Sequence, residues 1–135
     1  MHIALSSAHR RWNEPRDARL GYPLGRLLLA GYLVNAQHDA GLRFAAIVRR
    51  YAAAMGFARE ARRVSADAAA LAAPRREYDD CYAALEQAGR DTRSGREPLK
   101  TCRQICVEEM DEAILWPHRI GDLRVGLNAL AFMMR

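Results

Sequence analysis

The chain has 135 residues, half of them apolar, with a formal charge of +5 and a pI near 9.6. That suits one domain with its own core and excludes global disorder and a disulfide-stapled miniprotein. No run reaches the ~18 apolar residues of a membrane span, and the N-terminal MHIALSSAHRR has too short an apolar stretch, with its basic pair after it, for a secretion signal.

Residues 1–22 lack a sustained period and are punctuated by Pro15 and Gly21, with Arg10, Arg11, Arg16 and Arg19 outnumbering Glu14 and Asp17. They are expected to form a basic, loosely ordered arm before a single helical domain over 23–135. A short helix is predicted from Pro23 to about Ala30, because proline suits a first turn and Gly31 a C-terminal stop. The next runs from Asn35, read as N-cap, to about Met55, with Gly56 ending it. Its apolar positions Ala40, Phe44, Ile47, Val48, Tyr51 and Met55 recur at helical spacing, while Arg43, Arg49 and Arg50 fall toward the other side. Gly41 inside it costs roughly 1 kcal/mol against alanine and so marks a close helix–helix approach.

Residues 57–73 are alanine-rich with few large apolar side chains and read as a helical or frayed, weakly structured linker. Pro74 opens a third helix to about Ala88, stopped by Gly89, with Tyr78, Cys81, Tyr82 and Leu85 as its apolar face. A basic loop follows, and Pro98 opens a fourth helix through about Glu108, with Leu99, Cys102, Ile105 and Cys106 on one side. After the acidic run Glu108–Glu112, a final helix is predicted from Pro117, its stripe made by Ile120, Leu123, Leu127 and Leu130. No alternating strand pattern occurs. The fold class is all-α, a compact bundle of about five helices with a helix-turn-helix-like pair as one reading of the C-terminal end.

The chemistry-bearing side chains point away from catalysis. HExxH, GxSxG, P-loop and GxGxxG motifs are absent, and no nucleophile with a positioned acid–base pair can be assembled. Cys102 and Cys106 have chelating i, i+4 spacing, with His118 the nearest further ligand, but structural zinc wants four ligands and none supplies a second pair. They are read as buried thiols. Three cysteines, an odd number, imply a reduced, cytoplasmic setting. No metal or cofactor is called for.

The remaining signal is charge. Of 21 basic residues only Lys100 is lysine, and arginine forks suit phosphate recognition; a GC-rich genome explains the same bias. Candidate nucleic-acid contacts are Arg10 and Arg11 in the arm; Arg43, Arg49 and Arg50; Arg90, Arg93 and Arg96 with Lys100 and Arg103; and Arg119 and Arg124 at the start of the last helix. Glu108, Glu109, Asp111 and Glu112 are the candidate protein-binding surface. The lead-in from Glu109 to Trp116 is longer than the turn of a compact helix-turn-helix. The apolar end (Leu130, Phe132, Met133 and Met134) suits burial or pairing with a second copy.

Two blocks carry a resemblance. PLGRLLLAGYLVNAQHDAGLRFAAIVRRY spans Pro23 to Tyr51, and CRQICVEEMDEAILWPHRIGDLRVGLNALAFMM spans Cys102 to Met134. The first has Pro-Leu-Gly-Arg-Leu, a Gly turn and Gln-x-x-Ala-Gly leading into a basic–aromatic helix. The second has a Cys-rich helix, an acidic turn, Trp-Pro and Gly-Leu-x-x-Leu-Ala. Together they resemble a family of small proteins from bacterial phages and gene-transfer-agent systems, which includes a domain of unknown function found in the regulator of gene-transfer-agent expression. Pro23, Gly25, Gln37, Ala40, Gly41, Trp116, Pro117, Gly126 and Leu127 match by position. The resemblance implies a phage-type late-gene regulator, similar in role to antiterminators that work with RNA polymerase, with DNA or nascent RNA as the other partner. It carries no catalytic residues. Many relatives place this region behind a separate helix-turn-helix domain, which this chain lacks. Two other readings stand beside it. One is a DNA-binding repressor or packaging-recognition module in which Arg119, Arg124 and Asn128 read bases. The other is a small interaction protein such as an inhibitor of a host enzyme.

Overall fold

The computed structural model describes residues 17–61, 69–92 and 96–135. Within them the chain is all-α and has no strand. The α-helices are α1 (Pro23–Leu29), α2 (Asn35–Ala61), α3 (Ala69–Asp91), α4 (Pro98–Cys102) and α5 (Ile120–Met133). A π-helical turn, Arg103–Val107, continues α4, and 3-10 turns occur at Ala18–Gly21 and Glu112–Leu115. Among the described residues no helix is long and apolar enough to cross a membrane.

The end of the expected basic arm is ordered. Asp17 caps the first 3-10 turn through the Arg19 amide at 3.0 Å and grips the Arg19 guanidinium, which holds its carboxyl down to about 2. Residues 1–16 lie outside the described residues. Helix α1 begins on Pro23 and ends as its glycine requires. Gly31 takes φ +86°, Tyr32 N–H donates to Leu27 O, and Gly31 N–H donates to Leu28 O, the paired bonds of a Schellman stop.

Several boundaries differ from the sequence reading. Val34, not Asn35, precedes the first turn of α2, because Val34 O accepts from His38 N–H. The cap comes from Gln37, whose Oε1 accepts from Val34 N–H at 2.9 Å, half of a capping box. Helix α2 passes Gly56 and reaches Ala61, and α3 begins at Ala69, so residues 57–61 and 69–73 of the expected linker are helical. Residues 62–68 are outside the described set. Alanine has the highest helix propensity, and Pro74, close to the start of α3, removes a single backbone bond there. Gly89 does not stop α3, which runs to Asp91. Helix α5 begins at Ile120 rather than Pro117; residues 116–119 form a turn whose Trp116–Pro117 peptide is cis.

The core gathers around α5, where Leu123, Leu127 and Leu130 are fully buried and packed among α2, α3 and α4. Phe44 and Ile47 of α2, Cys81 and Leu85 of α3, and Cys102, Ile105 and Cys106 close it. Two glycines set the helix spacing. A Cβ on Gly41 would lie 2.6 Å from Leu24 Cδ1 and 3.1 Å from Leu127 Cδ2, the close approach expected there. One on Gly126 would lie 2.3 Å from Cys102 Sγ. At the rim Tyr51, Tyr78 and Tyr82 stack with successive centroid separations of 4.3 Å, zipping α2 to α3.

Candidate interaction surface

Several side chains of the expected basic clusters have partners within the protein while remaining at its surface. Of the 21 basic and 16 acidic side chains, six and two lie outside the described residues, leaving 15 and 14. The described part is therefore nearly neutral, and most of the +5 excess belongs to segments that include Arg10, Arg11 and Arg93. Arg50 pairs with Glu77, Arg96 with Asp122 at 3.3 Å, and Lys100 with Glu97 at 3.6 Å. Arg90 donates to Gln87 Oε1 at 2.7 Å, and Arg43 reaches Met134 O at 3.4 Å. Arg49 and Arg103 have no such partner among these, and Arg43, Arg49, Arg50, Arg90, Arg96, Lys100 and Arg103 are all exposed.

The proposed base-reading set is hydrogen-bonded within the protein. Arg119 donates to Thr101 Oγ1 at 3.1 Å and to Gln104 Oε1. Arg124 Nε donates to Tyr32 O at 3.0 Å, and Asn128 Oδ1 accepts from Gln37 Nε2 at 3.0 Å. The helix-turn-helix-like pair is not formed either. Residues 108–119 separate the helix that ends at Val107 from α5, where a compact motif has a turn of about 3–4 residues.

Two grooves lie nearby. One of about 490 Å³ between the end of α3 and α4 sets Arg96, Lys100 and Arg103 against Glu86, Glu97 and Glu108. The other, about 470 Å³, is bordered by Asp91, Thr92, Arg96, Gly121, Arg124 and Val125. The first is charge-balanced, so a phosphate entering it would meet carboxylates as well as cations.

The acidic turn splits into two parts. Glu112 forms a two-pronged pair with Arg26 of α1, Nε to Oε2 at 2.7 Å and Nη2 to Oε1 at 2.9 Å. That guanidinium holds the Glu112 carboxyl below the usual range, and the residue is withdrawn from the expected partner surface. Asp111 caps the following 3-10 turn through Ala113 N–H at 2.8 Å yet stays exposed, as do Glu108 and Glu109. Among the described residues no three of His, Cys, Asp or Glu gather as metal ligands. Burial pushes the Cys81 thiol up to about 11, Cys106 to about 12 and Cys102 well above the ordinary value, keeping all three protonated near neutral pH.

Two arrangements had no signal in the sequence. Tyr22 O–H donates to His38 Nε2 at 2.7 Å, and His38 Nδ1 donates to Asp39 Oδ1 at 2.9 Å. The order of groups is that of an acid–base relay, but none of the three lines either groove, and the bonds act as a clamp of Tyr22 onto α2. The second is an aromatic corner. Tyr32 and Trp116 meet edge to face at 4.8 Å, and each leaves 42% of its surface exposed. Leu29 and Val34 stand exposed beside Tyr32 in sequence, and Met110 six residues before Trp116. In the sequence Trp116 stands out only as part of a Trp-Pro pair; its partner, 84 positions earlier, follows no periodicity. No family model, curated protein or solved structure matches the chain.

Proposed function

We propose that this chain is the helical module of a phage-type transcription regulator, an antitermination or RNA-polymerase-associated factor without catalytic activity of its own. The observation that supports this reading is the meeting of the two blocks that carry the resemblance. Gln37 of the first bonds Asn128 of the second, and Gly41 of the first lies against Leu127 and Cys106 of the second. Segments that pack as one unit are consistent with one family domain rather than two chance matches.

In this reading the protein contact comes from the bundle and the nucleic-acid contact from arginines outside the described residues, Arg10, Arg11, Arg62, Arg63 and Arg93, together with the exposed Arg49 and Arg103. Each phosphate they neutralise steepens the salt dependence of log K by about 0.9 on duplex DNA. The test is terminator read-through with purified polymerase. The expected result is read-through that needs the protein, with co-elution of protein and polymerase. Absence of both overturns the proposal.

The near-neutral surface favours one second reading, a protein-interaction module that touches no nucleic acid. A pull-down from nuclease-treated extract separates the two, since only an interaction module keeps its full set of partners there. The base-reading repressor is disfavoured because Arg119, Arg124 and Asn128 already have partners within the fold.

A further inference from the structure

The corner made by Tyr32 and Trp116 is held with more bonds than an incidental surface loop needs. Gly31 turns the chain out of α1, and Arg124 reaches across from α5 to fix Tyr32 O at 3.0 Å. Gln37, only 8% exposed, bonds Val34 N–H with one end of its amide and Asn128 with the other. On the opposite side the Arg26–Glu112 pair ties α1 to the turn that leads into Trp116. Three long-range links thus hold two aromatic rings, neither of which is buried. Val34 beside them is 62% exposed. Tyrosine and tryptophan are the side chains that most often anchor protein interfaces, and fixing them in advance lowers the entropy lost on binding.

The charge around the corner selects the occupant. Glu108, Glu109 and Asp111 are exposed on the acidic turn just before Trp116. The arginines that reach the corner, Arg26 and Arg124, are engaged with Glu112 and Tyr32 O. A nucleic acid would bring phosphates to carboxylates. A second copy in a symmetric pair would bring the same acidic turn near its own image. A segment of another protein with large apolar side chains flanked by Arg or Lys satisfies both the rings and the carboxylates.

The geometry points to this corner as a docking site for a basic, apolar segment of a partner protein, with Tyr32 and Trp116 as anchors and Glu109 and Asp111 selecting the positive charge. This rests on the protein-contact half of the proposed function and deepens it. The experiment uses no polymerase, so failure of read-through and failure of the docking site are separate results.

A displayed library of random peptides is selected on the full chain free of nucleic acid, and enriched peptides are synthesised and titrated. The expected peptides carry a net positive charge and at least one large apolar residue. Tyr32→Ala and Trp116→Ala each weaken them by about tenfold or more, the loss typical of an anchor. Glu109→Lys with Asp111→Lys weakens them and removes their salt dependence. Phe132→Ala, which removes an apolar side chain 68% exposed on the last turn of α5, leaves binding unchanged. Circular dichroism and urea midpoints establish that each variant is folded, and Tyr32→Phe retains binding. Failure to enrich any peptide, enrichment of acidic peptides, or binding that survives Trp116→Ala in a folded protein overturns the proposal. So does a cross-link in the free protein from Trp116 to a second copy or to residues 1–16.

Discussion

Replacing Gly126 with alanine tests the packing around α5. In an open helix the change stabilises by about 1 kcal/mol, because alanine has the higher propensity. Here the new Cβ would sit 2.3 Å from Cys102 Sγ, 3.1 Å from Leu85 Cδ2 and 3.3 Å from Pro98 O. Cys102 and Leu85 are fully buried, and Pro98 O belongs to the backbone, so none moves without displacing α3 or α4. Overpacking of this kind costs about 1–3 kcal/mol, which exceeds the propensity gain and leaves a net loss of about 1 kcal/mol. Gly56, also helical, has no atom within 4 Å of its Cβ position, so Gly56→Ala keeps the gain. Urea unfolding followed by circular dichroism, with a slope of about 1–3 kcal/mol/M, should show the midpoint falling by about 0.5 M for the first variant and rising for the second. Cys102→Ala removes the nearest obstructing atom, so the Gly126→Ala, Cys102→Ala double variant should be more stable than the two single losses added, by at least about 0.5 kcal/mol. Strict additivity, or stabilisation by Gly126→Ala, would refute the close-packed account of α5.

Further outcomes follow from the polar contacts. The folded-state pKa of Glu112 is lowered by Arg26, so the pair adds stability above the ordinary glutamate range and loses it as pH falls through the lowered value. Both partners are partly exposed, so Glu112→Gln should cost only about 0.5–1 kcal/mol at pH 7, and urea midpoints of wild type and variant should converge as pH falls through the lowered Glu112 value. Gln37→Ala removes two bonds at a buried position and should cost about 1–3 kcal/mol by the same assay. The three thiols should stay unreactive toward a disulfide reagent in the native protein at neutral pH and react together in denaturant. Fast labelling of any one in the native state would contradict their burial.

The helical class and the apolar faces were legible because each depends on residues a few positions apart. Pro23, Gly31 and Pro98 mark ends for local reasons of backbone geometry, and the structure uses them as expected. Pro74, Gly56 and Gly89 are the same residue types, yet the helices run through them, because propensity and packing on both sides outweigh one weak position. The candidate site was less legible. The ion pair of Lys100 with Glu97 lies within one turn and could be read from spacing. The engagement of Arg26 with Glu112, Arg96 with Asp122 and Arg124 with Tyr32 could not, since nothing local records which distant groups a fold brings together. Local sequence therefore does not record which arginines find distant partners, and it is silent on the aromatic corner for the same reason.

The position of α5 bears on synthesis. A ribosome releases the chain from its N-terminus, and domains close as units once their parts have emerged. Leu123, Leu127 and Leu130 fill the centre that α2, α3 and α4 surround, so until residues 120–133 leave the exit tunnel those helices have no common partner. Until then the apolar surfaces that α2, α3 and α4 turn toward α5 stay uncovered. A nascent chain stalled before Ile120 is a substrate for chaperones and proteases rather than a half-working protein.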